Sequence, residues 1–374
     1  VESLIVHHIL YGKFAEYYSQ NSELFHHAVG IDEHSVDWHH LGEYLSQYSN
    51  CIDIDFCNFD KLLQDSLLYL IAEGEINLIG EDKYTKARYV LAETFISSIV
   101  LNNQTAFQKR RGMGSGSPVT TRWNCMYNLI RLYIIFYIIM EENERDSSLS
   151  AFLKLVRCVF LGDDAGISVH EDIVSIFNFE TIAAVLRTFG EEPTPANKTD
   201  TSYTVKRFKE ITFLKRKFFK CNLTDRWLST LDKTSIENKY NYCKADLADE
   251  EWHQIIKNDM NEAMLIQLED PDSRYFDKYR EKIIAKLENL NPNAKELVTR
   301  EIIRDFDQVV KDYFTHMYKE RVIYEMNGEI IRDIIIERGT TVLGYLEQQG
   351  TVELPENEVR FEEQLNSTNV KLDA

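Results

Sequence analysis

Two stretches of this 374-residue sequence set carboxylates where they could act together. Residues 51–56 alternate, with Ile52, Ile54 and Phe56 on one side and Asp53 and Asp55 on the other. That is the pattern of a half-buried strand carrying acids on its polar face. Residues 155–169 read as strand, turn, strand, with Gly162, Asp163, Asp164, Ala165 and Gly166 at the turn: a hairpin with acids at its tip. An acidic turn alone is commonplace, because Asp suits turns for conformational reasons. Beside a second acid-bearing strand it has another use. Asp oxygens presented side by side can bind two divalent cations, hard ions that take oxygen ligands. Two such ions suit phosphoryl transfer, one activating the attacking hydroxyl and the other steadying the leaving pyrophosphate.

The elements around these strands follow from periodicity and capping. Asp60 opens an apolar-periodic helix through Leu62, Leu63, Leu67 and Leu70. Gly112, Gly114 and Gly116 mark a flexible loop, followed by a long apolar helix over 123–140. A helix is expected over 173–189, stopped by Gly190, and a strand or tight hairpin over 211–219. Beyond 220 the spacing turns helical, through Trp252, Ile256, Met260 and Ala263, then Phe276, Tyr279, Ile283, Leu287 and Leu290. A long helix is expected from an Asn293 cap to a Gly328 stop. The last residues, from 350, are acidic and poor in apolar side chains, as a tail or linker would be. The order is mixed α+β first and helical afterwards.

Bulk composition bounds the reading. Apolar residues make up 44% and aromatics 12%, enough for a large core and too much for global disorder. The length suits two or three linked subdomains. The net charge of −19 argues against a nucleic-acid partner until its distribution is inspected. Residues 101–140 hold five basic and no acidic side chains, and 205–220 hold seven basic against Glu210 alone. An acidic body with two basic islands can hold RNA locally. The six cysteines form no CxxC pair and read as buried thiols of a reducing compartment. The N-terminus, opening on Val1, has no basic-then-apolar leader, and the apolar run 132–140 is too short to span a bilayer.

Five segments, in order, resemble the motifs of RNA-directed RNA polymerases of picorna-like positive-strand RNA viruses. Asp55-Phe56-Cys57-Asn58-Phe59-Asp60 resembles motif A. Ser115-Gly116-Ser117-Pro118-Val119-Thr120, with Asn124 beyond, resembles motif B, and Leu161-Gly162-Asp163-Asp164 resembles motif C. Thr194-Pro195-Ala196-Asn197-Lys198 resembles the end of motif D, and Phe213-Leu214-Lys215-Arg216 resembles motif E. At lower resolution Val29-Gly30-Ile31 with Trp38, and Leu231-Asp232-Lys233 with Ile236, extend the likeness over about residues 25 to 330.

The resemblance implies an α+β right-hand fold: a palm of antiparallel sheet backed by helices, partial fingers and a helical thumb. Its expected divisions are a lead-in over 1–50, palm over 51–220 with a fingers insertion near 95–115, thumb over 221–345, and an acidic tail or polyprotein linker over 346–374. The implied reaction is template-directed transfer of a nucleotide from a nucleoside triphosphate to an RNA 3′-end, with two Mg²⁺ or Mn²⁺ ions. Asp55 and Asp163 would be the main metal ligands and Asp164 a secondary one. Asp53 shares the strand face of Asp55, and the five-residue step to Asp60 selects Asp55. Asp60, Thr120 and Asn124 would hold the ribose hydroxyls, which is a strong basis for rejecting deoxyribose. Ser115 and Gly116 would sit in the loop that shapes the site. Lys198 would be the general acid toward pyrophosphate. Lys215 and Arg216 would touch the primer backbone, and Lys109, Arg110 and Arg111 would guide template or nucleotide.

The implied partners are RNA template and primer, nucleoside triphosphates and other viral replication proteins. No direct membrane insertion is expected. The implied setting is host cytoplasm, at membrane-associated replication complexes reached through partners.

Some features depart from the family pattern or invite rival readings. Leu161 stands where picornaviral enzymes usually carry Tyr, at a packing position that tolerates Leu. The basic fingertip motifs of the family would precede residue 1, and a chain without them is expected to polymerise poorly or not at all. A reverse transcriptase would carry a bulky aromatic gate near motif A, where this sequence has Asp60. A non-catalytic palm–thumb module that binds RNA or protein is the alternative from another class. Gly112-Met113-Gly114-Ser115-Gly116 lacks the Lys-Ser/Thr ending of a phosphate loop. The pairs His7-His8, His26-His27 and His39-His40 lie in no zinc-binding frame. Gln349-Gly350 resembles the junctions cut by picorna-like main proteases, which would make it a polyprotein boundary.

Overall fold

A computed structural model describes residues 2–56, 59–109, 111–196, 203–239, 249–290, 303–316, 323–324 and 330–331. The chain divides into two compact units, Val1–Lys220 with Arg226–Cys243, and Cys221–Asp225 with Lys244–Ala374.

The first unit opens with α1 (Glu2–Gln20) and α2 (Val36–Leu45), then β1 (Asn50–Phe56), α3 (Phe59–Leu62), α4 (Asp65–Ile79) and α5 (Thr85–Ile96). A hairpin of β2 (Ile99–Asn102) and β3 (Thr105–Gln108) precedes α6 (Thr120–Glu142) and α7 (Leu149–Leu155). Then come β4 (Val156–Leu161), β5 (Asp164–Val169), α8 (Phe179–Thr188), β6 (Pro193–Pro195) and β7 (Lys206–Arg207). The short strands β8 (Thr212–Phe213), β9 (Arg216–Lys220) and β10 (Trp227–Leu231) and the helix α9 (Lys233–Lys239) close the unit.

The main sheet runs β4-β5-β1-β6 with β7 also on β1, and every pairing is antiparallel. Side chains alternate across β1. Ile52, Ile54 and Phe56 enter the main core with Trp123, Tyr127 and Phe136 of α6 and Ile182 and Leu186 of α8. Cys51, on the other face, joins a second core of Trp38, Leu41 and Leu45 from α2 with Phe213 and Phe218 from the β8–β9 hairpin. The Trp38 and Phe218 rings stack at 4.4 Å.

That second core corrects the half-buried reading of β1. Its acidic face is covered too, and Asp53 is 0% exposed. Lys206 Nζ meets both its oxygens, at 2.9 and 3.2 Å. The Tyr203 hydroxyl donates to Oδ1 at 2.9 Å and the Thr212 amide to Oδ2 at 3.3 Å. A buried carboxylate needs this compensation, since an unpaired one would be far costlier than the strand's packing could offset. Asp53 thereby ties β1 to β7 and β8.

The helix expected over 173–189 is shorter. Residues 171–178 form turns, and α8 starts at Phe179 because Asn178 caps it, accepting from the amides of Glu180 and Thr181 at 3.1 and 3.3 Å. Ile173 and Phe177 reach the core from those turns. Among the described residues α6 alone is long and apolar enough to cross a membrane. It is mostly buried, with Phe136 0% exposed, and is the central core helix.

The second unit is helical over Asp249–Glu269, Tyr275–Leu290 and Phe306–His316. The long helix expected from Asn293 is interrupted, since residues 303–305 are not helical. Asp305 and Gln308 form a reciprocal cap instead, at 2.8 and 3.3 Å. Ile323–Tyr324, inside the expected helix, pairs instead with Ile330–Ile331 beyond its Gly328 stop as a two-stranded ladder. Phe276 and Phe306 pack edge to face at 5.3 Å inside this unit. Asn293, Gly328, Gln349 and the acidic tail lie outside the described residues.

Candidate active site

The acids converge because of strand register. Asp53 faces Gly166 and Ile54 faces Ala165 across β1 and β5, so the register carried one step further sets Asp55 opposite Asp164. Asp55 pairs on its other side with Thr194 of β6. Leu161 pairs with Asp164, leaving Gly162 and Asp163 as a two-residue turn. Gly162 takes φ +65°, which a side chain would disfavour, so glycine is required there. Asp163 is exposed at the tip, and Asp55 and Asp164 are half-buried.

The carboxyl of Asp164 is pushed up to about 6, first by burial and then by the charges of Asp163 and Asp55. Three acids crowded enough to repel one another are a donor set that divalent cations would relieve. Among the described residues no group of three or more His, Cys, Asp or Glu side chains stands ready-made to hold a metal ion. Lys215 opposes the acids: its positive charge lowers the Asp164 value. Leu214 and Lys215 form the β8–β9 turn with φ of +55° and +60°, and Lys215 is exposed at its tip.

Arg216 goes the other way, and its expected primer contact is corrected here. It is 6% exposed, paired to Glu33 at 3.1 Å and hydrogen-bonded to Ser229 at 3.2 Å. The turn leaves Lys215 outside, and β9 starts at Arg216 with its side chain inside. Lys109 is likewise tied to backbone carbonyls, while Arg111 is exposed and its side chain makes one hydrogen bond among the described residues. Lys109 Nζ donates to the carbonyls of Phe95 and Gly112, both at 2.8 Å, and Arg111 donates to Leu62 at 3.3 Å. Arg110 and Lys198 lie outside the described residues.

The glycine loop is fastened to α3. The Gly112 amide donates to Leu63 at 2.8 Å and the Met113 amide to the Asp60 carbonyl at 2.7 Å. Ser115 Oγ donates to Asp60 Oδ2 at 3.2 Å, and Thr120 Oγ1 to Gly114 at 2.8 Å. Asp60, Ser115 and Gly116 are exposed and Thr120 is half-buried. Gly112 has φ +87°, and a Cβ there would stand 2.4 Å from the Asp60 carbonyl oxygen. Gly116 has φ +88° but open space around it. Gly112→Ala is therefore expected to cost on the order of 2–3 kcal/mol, against about 1 kcal/mol for Gly116→Ala. Thermal denaturation of both variants checks this, with the larger drop in Tm expected for Gly112→Ala.

Asn124 lies one turn into α6, on the face that also carries Tyr127 and Asn128. The Tyr127 hydroxyl accepts from the Gln64 amide at 3.2 Å, and Asn128 Nδ2 donates to Gly162 at 2.7 Å. Asn124 thus sits on a face that reaches both the α3–α4 link and the acidic turn. It is 5% exposed, and its Oδ1 has no hydrogen-bond partner among the described residues.

Behind these residues lies a buried polar set that the motifs do not include: Asp53 with Lys206, Arg122 with Glu75 at 2.6 Å, and Arg131 with Glu191. Basic residues inside an apolar helix, at 122 and 131, were the available signal.

A family profile described as viral RNA-dependent RNA polymerase matches residues 1–284. The replication polyprotein of Nora virus is 30% identical over 271 residues, covering 71% of this chain and 12% of that polyprotein. The RNA1 polyprotein of Cowpea mosaic virus (strain SB) is 27% identical over 263 residues, covering 69% of this chain and 14% of the polyprotein. This chain therefore spans a small part of the curated relatives it matches. Among solved structures the Sicinivirus 3Dpol RNA dependent RNA polymerase aligns with a TM-score of 0.66 at 17% identity. The alignment covers 82% of this chain and 59% of that one, a likeness of fold.

Proposed function

The chain belongs to the viral RNA-dependent RNA polymerase family, and on that footing we propose that it carries the catalytic palm of an enzyme that extends an RNA 3′-end on an RNA template. The observation that supports this best is the strand register that sets Asp55 opposite Asp164 beside the Asp163 turn, at one end of an antiparallel sheet, where burial first and the neighbouring carboxylates second raise the Asp164 carboxyl.

In this reading Asp55 and Asp163 are the principal ligands of two Mg²⁺ or Mn²⁺ ions, and Asp164 orients or assists. Bound there, the ions supply charge neutralisation at the attacking hydroxyl and the leaving pyrophosphate. The remaining work falls to the chain. Asp60, Thr120 and Asn124 hold the ribose, and Ser115 and Gly116 shape the loop beside it. Lys198 gives a proton to pyrophosphate. Lys215, exposed and near the acids, meets the backbone of the primer strand; Arg216, committed to Glu33, holds the hairpin that presents it. RNA template and primer and nucleoside triphosphates are the substrates. Other viral replication proteins would tether the enzyme to membrane-associated complexes in the host cytoplasm.

The test is extension of a primed RNA template with ribonucleotides, in Mg²⁺ and in Mn²⁺, by this chain and by a longer form with its native flanking sequence. Extension that requires the divalent ion is the expected result for the longer form. RNA binding without extension in both forms would overturn the reading in favour of a non-catalytic module.

A further inference from the structure

The acidic turn is held from behind by a chain of buried polar groups. Asn128 Nδ2 donates to the Gly162 carbonyl at 2.7 Å. Asn128 Oδ1 accepts from Arg131, whose other terminal nitrogen pairs with Glu191. Both Arg131 and Glu191 are buried. The guanidinium also lies 3.9 Å from the Phe56 ring centroid and 5.4 Å from those of Phe59 and Tyr127.

One cation thus meets three separate segments. Phe56 and Phe59 bracket the link from β1, where Asp55 sits, to α3, where Asp60 sits. Asn128 leads to the turn that carries Asp163. Glu191 stands two residues before β6, which pairs with β1 at Asp55. Burying a guanidinium in an apolar core is costly, and a large apolar residue would fill the same space without that cost. What an apolar residue lacks is directionality: the planar fork of Arg fixes two hydrogen bonds and a stacking plane at once.

We infer that Arg131, held by Glu191 and acting through Asn128, is a positioning residue that sets the Gly162–Asp163 turn against β1 and so tunes the affinity of the acidic cluster for divalent cations. This rests on the metal-binding reading of Asp55, Asp163 and Asp164. Asn128 and Arg131 touch no substrate in this account. They set where the Gly162–Asp163 turn stands relative to β1, and so how the three carboxylates face one another.

The experiment measures Mn²⁺ binding to the full chain by the electron paramagnetic resonance signal of free Mn²⁺, with Tm recorded alongside. Wild type, Asp163→Ala, Asn128→Ala and Arg131→Lys are compared. Arg131→Lys keeps the charge for Glu191 but loses the fork, and it carries the test if Asn128→Ala does not fold. Asp163→Ala should lose the site. Asn128→Ala and Arg131→Lys should weaken Mn²⁺ binding about tenfold, more than any general loosening tracked by Tm would explain. Unchanged Mn²⁺ affinity with a lowered Tm would make the relay purely structural and overturn the inference, leaving the metal site intact. A wild-type chain whose Mn²⁺ binding is absent, or survives Asp163→Ala unaltered, would overturn the metal reading and the inference together.

Discussion

Asp163→Ala should abolish RNA extension, with the rate falling by a factor of about 10³ or more, while the protein melts at the same temperature or slightly higher. The two halves of that expectation have separate causes. Asp163 is exposed at the tip of a two-residue turn, so removing its carboxylate opens no cavity. It also relieves repulsion, since Asp163 is one of the charges that raise the Asp164 carboxyl to about 6. The loss of activity comes from the same crowding. On the proposed metal-binding reading Asp163 would help hold the divalent ions where charge develops, and a factor of 10³ corresponds to about 4 kcal/mol of transition-state stabilisation. Single-turnover extension of a primed template, with Tm by differential scanning fluorimetry, checks both halves. Residual activity within tenfold of wild type would remove Asp163 from the metal site.

Asn124→Ala should erase much of the preference for ribose over deoxyribose. The carbonyl oxygen of Asn124 is a buried acceptor with nothing among the described residues to accept from, which costs roughly 1–3 kcal/mol. A ribose hydroxyl that donates to it recovers that energy, and a deoxyribose cannot. Deleting the acceptor removes the difference, so kcat/KM for ribonucleotides should fall about 30- to 100-fold while that for deoxyribonucleotides hardly moves. Competition between the two nucleotide types on one primed template measures the ratio. An unchanged ratio would mean that Asp60 and Thr120 carry the selection without it. Because the replaced group is unsatisfied in the free protein, Tm should change little.

The legible part of this protein was its strand register. Alternation in β1, the turn glycine at 162 and the apolar period of α6 each depend on neighbours in sequence, so the acid-bearing hairpin and its partner strand were readable. Burial of charge was not. The basic island over 101–140 looked like a surface for RNA, yet Arg122 and Arg131 are inside the fold on Glu75 and Glu191, and Lys109 is spent on loop carbonyls. By alternation Asp53 and Asp55 are equivalent, and it was the five-residue step to Asp60 that selected Asp55; the burial of Asp53 comes from the packing of the β8–β9 hairpin, which hides it and leaves Asp55 half-buried. The acidic partners of Arg122 and Arg131 and the partners of Asp53 lie between 47 and 159 residues away in sequence, in segments whose position periodicity does not give. The start of α8 at Phe179 was missed for a local reason, the cap at Asn178, which a run of apolar residues from 173 concealed.

Arg122 and Arg131 are nine residues apart on α6, roughly two and a half turns, so they leave the helix on nearly opposite sides. A long apolar helix in a core can creep by a turn, or roll, because one set of aliphatic contacts replaces another at little cost. Two keys cut on opposite sides prevent this. Sliding by a turn would strand Arg122 from Glu75 and Arg131 from Glu191, and an uncompensated buried charge costs about 3–5 kcal/mol each time. The helix therefore has one seat. Everything it exhibits, Thr120 at the mouth of the loop, Asn124 a turn further in and Asn128 under the acidic turn, inherits its address from two arginines that never face the solvent.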